Sequence, residues 1–295
     1  MTSTTIDDFL ASVHDTIVAR IDKLASSLVD VDVSQMMPGK MLRSRLAGRL
    51  VQQGLCPADW SDAAKLSAAI ELAHTASLCH DDVIDNADTR RGLPAMWRVT
   101  SPTAAVLIGD LLLCEAMELV METAQGEHLT EFLAKLKEVI TAEAKGEMLR
   151  GSILDKPTCL EMARGKTGPL FAFVAAVCGG KDQAMSNALG EAGYLIGTAY
   201  QLADDLLDRI GDETSAGKTL GTDQQRGKFT LACDTPEAQD QLRRDIHDLC
   251  ESAAGLLAQW PQAEQACRTY LMQDIQPIFG KLLKQDLIVW ADSLT

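Results

Sequence analysis

The chain has 295 residues, of which 46% are hydrophobic and only 4% aromatic, and its formal net charge is -15. This length and apolar content suffice for a large hydrophobic core. The acidic balance argues against a nucleic-acid-binding protein, because phosphate backbones require a basic surface. Eight cysteines stand singly, without a C-x-x-C pair, which indicates a reduced, intracellular protein with buried thiols.

Helical periodicity runs through almost the whole sequence, and strand patterns are absent. An amphipathic helix is predicted over about residues 5–28, and a second helix follows the break at MMPGK. The segment DAAKLSAAIELAHTASLCHDDVID predicts one long, largely buried helix. Gly or Pro lies near most later joins, and we expect further helices over 101–123, 129–149, 157–178, 181–210, 236–260 and 261–287. The sequence therefore predicts an all-α protein, with one domain over residues 1–295.

The N-terminal sequence MTSTTIDDFLASVHD lacks a basic segment followed by an apolar run, so we expect neither a signal peptide nor an anchor. The longest apolar stretches, such as GPLFAFVAAVCGG, are shorter than the ~20 residues that span a bilayer. We expect a cytoplasmic protein, with peripheral membrane contact left open.

An unusual concentration of charge occurs in LCHDDVIDNADTRRG, residues 78–92. On a helix, Asp81 and Asp85 lie one turn apart on the same face, with Asp82 beside them. Two such carboxylates ~5 Å apart repel by about 3 kcal/mol at an effective dielectric constant of 20. A solvated helix end would explain an isolated copy, but the preceding ELAHTASLC is nearly uncharged. This arrangement favours the rim of a cleft.

A second copy of the pattern occurs in YQLADDLLDRIGD, where Asp204, Asp205 and Asp208 follow another apolar helical run. Two chance copies at the ends of apolar helices are improbable. Oxygen ligands on two helices suit a hard cation such as Mg²⁺, which prefers a few carboxylates together with waters and substrate phosphates. The sequence predicts a site for metal and phosphate.

Basic residues beside glycines recur in this acidic chain and predict fixed positive charges aimed at a multiply charged anion. Each of them alone is weak evidence, since most such residues face water, and the signal is their joint occurrence. These basic residues are Lys40, Arg43, Arg90, Arg91, Lys166, Lys218 and Lys228, and the hydroxyl-bearing Thr167 directly follows Lys166.

With these motifs in place, the chain resembles the trans-isoprenyl diphosphate synthases of the polyprenyl synthetase family. The resemblance extends in family order from PGKMLR through HTASLCHDDVIDNADTRRG, AAVLIGD, KGEMLRG, GKTGPL and YQLADDLLD to GKTLGTDQQRGKFTL. It implies an isoprenoid synthase-type helical bundle around a central cavity, and a homodimer. It also implies a transferase that condenses isopentenyl diphosphate with an allylic diphosphate.

The resemblance further implies roles for individual residues. The metal ligands would be Asp81, Asp82, Asp85, Asp204, Asp205 and Asp208, which would share three Mg²⁺ ions with the allylic diphosphate. That diphosphate would be held by Arg90, Lys166, Thr167, Gln201, Lys218 and Lys228. Isopentenyl diphosphate would be held by Lys40, Arg43, His74 and Arg91. The catalytic group would comprise Asp81, Asp82, Asp85, Asp204, Lys166 and Lys218, whereas the neighbouring His80 is interpreted as structural.

Product length is expected to depend on the helix before Asp81, because the growing hydrocarbon would extend along it. Ala73, Ala76 and Ser77 are small, whereas related enzymes that stop early carry bulky aromatic residues at the last two of these positions. The chain thus resembles medium- to long-chain synthases, with a product of C25 or longer. A shorter-chain farnesyl or geranylgeranyl diphosphate synthase is the alternative, since small residues also serve ordinary helix packing.

Some segments depart from the family pattern. Residues 38–44 read PGKMLRS instead of Gly-Gly-Lys-Arg-Leu-Arg-Pro, Trp97 and Arg98 replace small or polar residues, and TLACD replaces the usual TLP continuation. Two other functions are weighed. A class I terpene cyclase would need no isopentenyl site, so Lys40, Arg43 and His74 argue against it. A non-catalytic partner subunit would be expected to have lost an aspartate motif, but both motifs are present.

Overall fold

The chain is a succession of helices in the computed structural model, which describes residues 5–28, 33–56, 59–123, 127–210, 235–283 and 287. Short 3₁₀ segments occur at Val33–Met36 and Val177–Gly179. The α-helices are α1 (Ile6–Ser26), α2 (Leu42–Gln52), α3 (Trp60–Ile84), α4 (Met96–Val99), α5 (Pro102–Met121), α6 (Glu127–Met148), α7 (Lys156–Ala176), α8 (Gln183–Ile210), α9 (Pro236–Gly255), α10 (Pro261–Tyr270) and α11 (Gln276–Leu283). The prediction of an all-α protein is confirmed.

Several helices begin at side chains that cap the free backbone N–H groups of the first turn. Thr5 forms a capping box with Asp8 at the start of α1, and Asp59 accepts a hydrogen bond from the backbone N–H of Ser61 at the start of α3. Ser101 and Asp155 cap α5 and α7 in the same way, each before a helix with Pro in its first turn. These residues fix helix starts because they satisfy donors that have no partner within the helix.

Two details differ from the sequence prediction. A two-residue antiparallel ladder joins β1 (Thr89–Arg90) to β2 (Leu93–Pro94), whereas no strand was expected. Its turn contains Arg91 and Gly92, both with positive φ, and a strand this short leaves no alternating pattern in the sequence. The single helix expected over 261–287 is interrupted by a π-helical turn at Leu271–Ile275, which separates α10 from α11.

Helix α3 lies at the centre of the core and packs against α1, α2 and α5. It is buried on nearly all sides, as expected for a helix that is apolar around its circumference. Among the described helices, the most extensive contact is between α7 and α8, and α9 also packs against α8. The two aspartate-rich segments therefore lie at the C-terminal ends of α3 and α8, two long helices that are packed in the core.

The cysteines of the described part form no disulfide, and most are buried. Burial raises the pKa of the Cys79 and Cys267 thiols to about 12. Cys114 on α5 differs from the expectation because it is exposed, and Cys233 lies outside the described residues. Within the same ranges, no helix combines the length and apolar character needed to cross a bilayer.

Candidate functional site

The first aspartate motif forms the C-terminal end of α3. Asp82 is buried, Asp81 and Asp85 are half-buried, and Asp85 is the C-cap residue, whose backbone N–H donates to the Asp81 carbonyl oxygen at 2.7 Å. Carboxylates at this end of a helix are disfavoured by the helix dipole. The motif therefore requires nearby cations, and the structure supplies several.

Arg90 returns to the motif because the β1–β2 hairpin folds back over the end of α3. Its Nε donates to Asp82 Oδ1 at 2.9 Å, and its Nη2 contacts the same oxygen. Burial opposes the charge of Arg90, but Asp82, Asp81 and Asp85 outweigh this effect and raise the pKa of the guanidinium. Arg90, which the resemblance assigns to the allylic diphosphate, thus lies among the aspartates.

Arg150 provides a further positive charge at the motif. Its Nη2 lies 2.6 Å from Glu147 Oε1 and 3.6 Å from Asp85 Oδ1. The segment KGEMLRG contributed to the family resemblance, but no role was predicted for Arg150. Its contact with Asp85 joins residues 65 positions apart, which neither helix periodicity nor local motif spacing reveals.

The second aspartate motif lies in the last turns of α8 and is oriented from α7. Thr167 Oγ1 lies 2.6 Å from Gln201 Oε1, and Gln201 Nε2 donates to Asp205 Oδ1 at 2.8 Å. Asp208 is buried, whereas Asp204 and Asp205 are half-buried. The predicted residues Thr167 and Gln201 therefore form one hydrogen-bonded chain that ends on an aspartate of the motif.

Lys166 interacts electrostatically with an aspartate of each motif. Its Nζ forms an ion pair with Glu143 of α6 at 2.8 Å. Burial opposes its charge, but Glu143, Asp81 and Asp205 outweigh burial and raise the pKa of Lys166. Because Asp81 belongs to the first motif and Asp205 to the second, both motifs act on the same ammonium group. Glu143 was not predicted from the sequence.

A second group of basic side chains lies between α2, α3 and the hairpin. Burial, followed by the charges of Arg43, Arg91 and Arg90, lowers the pKa of His74 well below its usual value of 6.5. Arg43 is buried, its pKa is lowered by burial, and its Cζ lies 5.1 Å from the centre of the Phe171 ring. His74 is therefore neutral at pH 7 within a strongly positive environment.

The loop before α2 contacts this basic group. Arg91 Nη1 donates to the Met37 carbonyl oxygen at 2.7 Å, and the Arg91 guanidinium lies against Gly39, where a Cβ atom would approach Cζ to 2.7 Å. Gly39 is thus required for this approach. Lys40, in the same loop, is exposed.

Glu71 is the acidic partner of this group and was also missed. Its carboxylate is buried and accepts hydrogen bonds from Ser44 N at 3.2 Å and Ser44 Oγ at 2.9 Å. It stabilises the charged forms of Arg43 and Arg91. The sequence signal for this pairing was a single glutamate in the otherwise uncharged run SAAIELAHTA, because buried carboxylates are rare unless they are paired.

The remaining predicted residues lie below the first motif or outside the described part. Ala73 and Ala76 are buried in the core, and the Ser77 hydroxyl donates to the His74 carbonyl oxygen at 2.8 Å. Lys218 and Lys228 lie outside the described residues.

The donors of the two motifs fit a hard divalent cation. Across the described ranges, no three carboxylate, histidine or cysteine side chains lie together so that they could hold a metal ion by themselves, and these residues form no all-protein metal cage. Magnesium rarely uses such a cage and keeps waters and substrate phosphates in its coordination shell. Aspartates from two helices around one lysine therefore suit a metal that binds together with a phosphorylated substrate.

The fold and site define a class of helical proteins in which two aspartate motifs and clustered basic residues surround a site for a metal and an anion. A sequence model described as polyprenyl synthetase matches residues 28–254. The chain belongs to the polyprenyl synthetase family.

Individual proteins agree with this assignment. The chain is 36% identical over 201 residues to a short chain isoprenyl diphosphate synthase of Methanothermobacter thermautotrophicus, covering 65% of this chain and 61% of that protein. It is 34% identical over 198 residues to an all-trans-nonaprenyl-diphosphate synthase of Rhodobacter capsulatus, covering 62% of this chain and 59% of that protein. The match thus spans about three fifths of the length of these relatives.

Solved structures extend the agreement to the fold. A polyprenyl synthase from Caulobacter crescentus, complexed with calcium and isoprenyl diphosphate, superposes with a TM-score of 0.74 at 25% identity, covering 92% of this chain and 98% of that one. A heptaprenyl diphosphate synthase from Staphylococcus aureus gives a TM-score of 0.78 at 19% identity, covering 97% of this chain and 100% of that one, and shows the same fold.

Proposed function

We propose that the chain is a magnesium-dependent trans-prenyltransferase that condenses isopentenyl diphosphate with an allylic diphosphate of C5 to C20. The observation that carries the proposal is Lys166, whose charge is stabilised by Asp81 of the first motif and Asp205 of the second. The names of the relatives, which include short-chain, nonaprenyl and octaprenyl diphosphate synthases, support the same reaction class.

The allylic diphosphate would lie between the two motifs. The six aspartates of these motifs would hold three magnesium ions, which supply stabilisation of the negative charge on the departing diphosphate. Lys166 stays protonated because neighbouring carboxylates raise its pKa, so it adds a fixed positive charge at the same place. Thr167 and Gln201 keep Asp205 in position through their hydrogen-bonded chain. Lys218 and Lys228 are proposed to contact the same diphosphate.

Isopentenyl diphosphate would bind at the group formed by Arg43, His74 and Arg91, with Lys40 at its exposed side. The lowered pKa of His74 keeps the imidazole neutral, so it provides a hydrogen bond without further crowding the arginines. Glu71 offsets part of the positive charge when no diphosphate is bound. The two diphosphates would therefore bind at different places, one beside Lys166 and the other at the group of Arg43, His74 and Arg91.

The bond changes of the reaction balance without an oxidant or reductant. The allylic carbon–oxygen bond breaks, and its electron pair leaves with the diphosphate. The C3–C4 double bond of isopentenyl diphosphate attacks the allylic cation, and loss of a proton from C2, accepted by the released diphosphate, forms the new double bond. The apolar side chains below Asp81, including Ala76 and Ala73, would keep water away from the cation.

The central test uses purified protein with Mg²⁺, labelled isopentenyl diphosphate and allylic starters of C5, C10, C15 and C20. The wild type should elongate at least one starter, and Asp81→Ala or Asp204→Ala should abolish turnover while preserving the helical circular dichroism spectrum. Asp248→Ala, at an exposed position on α9, is the matched control and should retain activity. A cyclase would instead release a hydrocarbon, and a non-catalytic subunit would give no product.

We further propose a product of C25 or longer, based on the small residues Ala73, Ala76 and Ser77 of α3. The Ala76 side chain is fully buried on the helix that leads from Asp81, and a phenyl ring at this position would obstruct a hydrocarbon that extends along this helix. Ala76→Phe should therefore shorten the product, as measured by mass spectrometry. Unchanged product length would remove this helix from the proposed role, and a wild-type product of C15 or C20 would favour the shorter-chain alternative.

We also propose that the protein is a homodimer formed through α5 and α6. These adjacent helices expose large apolar side chains, including Leu107 at 57%, Ile140 at 60% and Met148 at 85% of their full accessibility. Contiguous exposed apolar patches mark interaction surfaces, and these side chains are proposed to form one such patch. Leu111→Glu, on the same face, should produce a monomer in light scattering and accelerate alkylation of the exposed Cys114. A monomeric wild type would contradict the proposal.

A further inference from the structure

His80 precedes the first aspartate motif and contacts the neighbouring helix α5. Its Nε2 lies 3.1 Å from the Val106 carbonyl oxygen and 3.3 Å from Asp110 Oδ1. Both of these atoms accept hydrogen bonds, so Nε2 carries the hydrogen. The imidazole therefore joins the end of α3 to the backbone of α5 through a hydrogen bond to the Val106 carbonyl oxygen.

The backbone of α5 is shaped to receive this ring. A Cβ atom at Gly109 would lie 2.3 Å from His80 Nε2 and 2.7 Å from Cδ2, far inside van der Waals contact. Any residue larger than glycine at position 109 would displace the imidazole. The absence of a side chain at this position is thus directly linked to the placement of His80.

The direction of this contact matters because of where it lies around α3. At about 100° per residue, Asp81 and Asp85 lie roughly 100° and 140° from His80, whereas Asp82 lies about 200° away. Asp82 is held on its own side by Arg90. The face that carries Asp81 and Asp85 is therefore bounded by two anchors, one to α5 through His80 and one to the hairpin through Asp82.

Anchors are needed here because α3 ends at Ile84, immediately after the motif. The last turn of a helix has carbonyl groups without partners in the helix and frays readily. Without its lateral contacts, this turn would allow Asp81 and Asp85 to take several orientations. A metal site requires its ligands to be held in one orientation by the groups around them.

We propose that His80 is a positioning residue that clamps the end of α3 to α5 and thereby fixes Asp81 and Asp85 for binding of metal and diphosphate. The proposal deepens the proposed function and rests on it for the identity of the ligand. It replaces the interpretation of His80 as a purely structural residue.

The test measures binding of inorganic diphosphate by calorimetry, with excess Mg²⁺ and with EDTA. His80→Leu should raise the Kd about tenfold with Mg²⁺, in the range seen when groups supporting metal ligands are lost, and should leave the Mg²⁺-independent binding unchanged. His80→Gln, whose amide can donate to the Val106 carbonyl oxygen, should restore most of the affinity. His128→Leu is the matched control, since His128 packs edge-on against Phe173 away from the motif.

A second pair of variants tests the contact itself. Gly109→Ala should weaken Mg²⁺-dependent binding as His80→Leu does, whereas adding Gly109→Ala to His80→Ala should cost nothing more, because the methyl group then occupies the vacated space. Wild-type affinity in His80→Leu, or no recovery in His80→Gln, would overturn the proposal. These outcomes are independent of turnover: failure of the wild type to elongate any starter would instead reject the proposed function.

Discussion

Replacing Gly197 by alanine should separate the two helices that carry much of the site. Gly197 of α8 faces Gly168 of α7, and an added Cβ atom would lie 2.6 Å from Gly168 Cα and 2.9 Å from its nitrogen. Both atoms belong to the backbone, so a side-chain rotation cannot relieve the clash. The helices must move apart by about 1 Å to reach ordinary contact distances.

The expected magnitude is the difference between two effects. Overpacking a rigid contact costs up to about 3 kcal/mol, whereas alanine is favoured over glycine inside a helix by about 1 kcal/mol. The net loss is up to about 2 kcal/mol, equivalent to a decrease in Tm of up to roughly 3 °C for a chain of this size. The same displacement would stretch the contact between Thr167 and Gln201, now 2.6 Å, and should lower kcat.

Thermal unfolding followed by circular dichroism, together with initial rates, provides the assay. Gly255→Ala is the matched control, since Gly255 ends α9 and an added Cβ atom meets no other group within 4 Å. This control should leave the free energy of unfolding unchanged or raise it by up to the ~1 kcal/mol of helix propensity. If Gly197→Ala is as stable and active as the wild type, the close approach of α7 and α8 does not support the site as argued.

Two further predictions concern charge at the site. Because burial lowers the pKa of His74 in the folded state below the unfolded value, unfolding takes up a proton below about pH 6.5, so the contribution of His74 to stability is fully present above that pH and is lost as the pH falls. His74→Gln should flatten this dependence in urea titrations between pH 7 and 5, and an unchanged slope would contradict it. Lys166→Met should reduce kcat at least 100-fold, whereas Glu143→Gln should cost less than about tenfold, since Asp81 and Asp205 still keep Lys166 charged. Equal losses in these two variants would count against the role assigned to the lysine.

The sequence was sufficient to predict the helices because their signals are local. Apolar periodicity and capping residues such as Thr5 and Ser101 act within one or two turns. The π-helical turn at Leu271–Ile275 was not predicted, although Pro277 follows it closely and lacks the backbone N–H that a regular helix would donate to the Gln273 carbonyl oxygen. The hairpin requires positive φ angles at Arg91 and Gly92, and the sequence indicates this conformation only at position 92, where the residue is glycine.

A candidate site could be proposed from the sequence where the residue types themselves carry the chemistry. The aspartate motifs repeat a spacing, and basic residues beside glycine stand out in an acidic chain. Glu143, Glu71 and Arg150 were missed because their partners lie far away in sequence: Glu143 pairs with Lys166 across 23 positions and Glu71 with Ser44 across 27. Only packing of the helices brings these groups together, and a single sequence contains no record of that packing.

The most direct test of the account is the analysis of products formed by the wild-type protein from labelled isopentenyl diphosphate and a C15 allylic diphosphate. With Mg²⁺, mass spectrometry should show diphosphates longer than the starter by whole C5 units, ending at C25 or beyond, and EDTA should abolish them. Recovery of both substrates unchanged with this and every shorter or longer allylic starter would contradict the proposal that the two aspartate motifs form a prenyl transfer site.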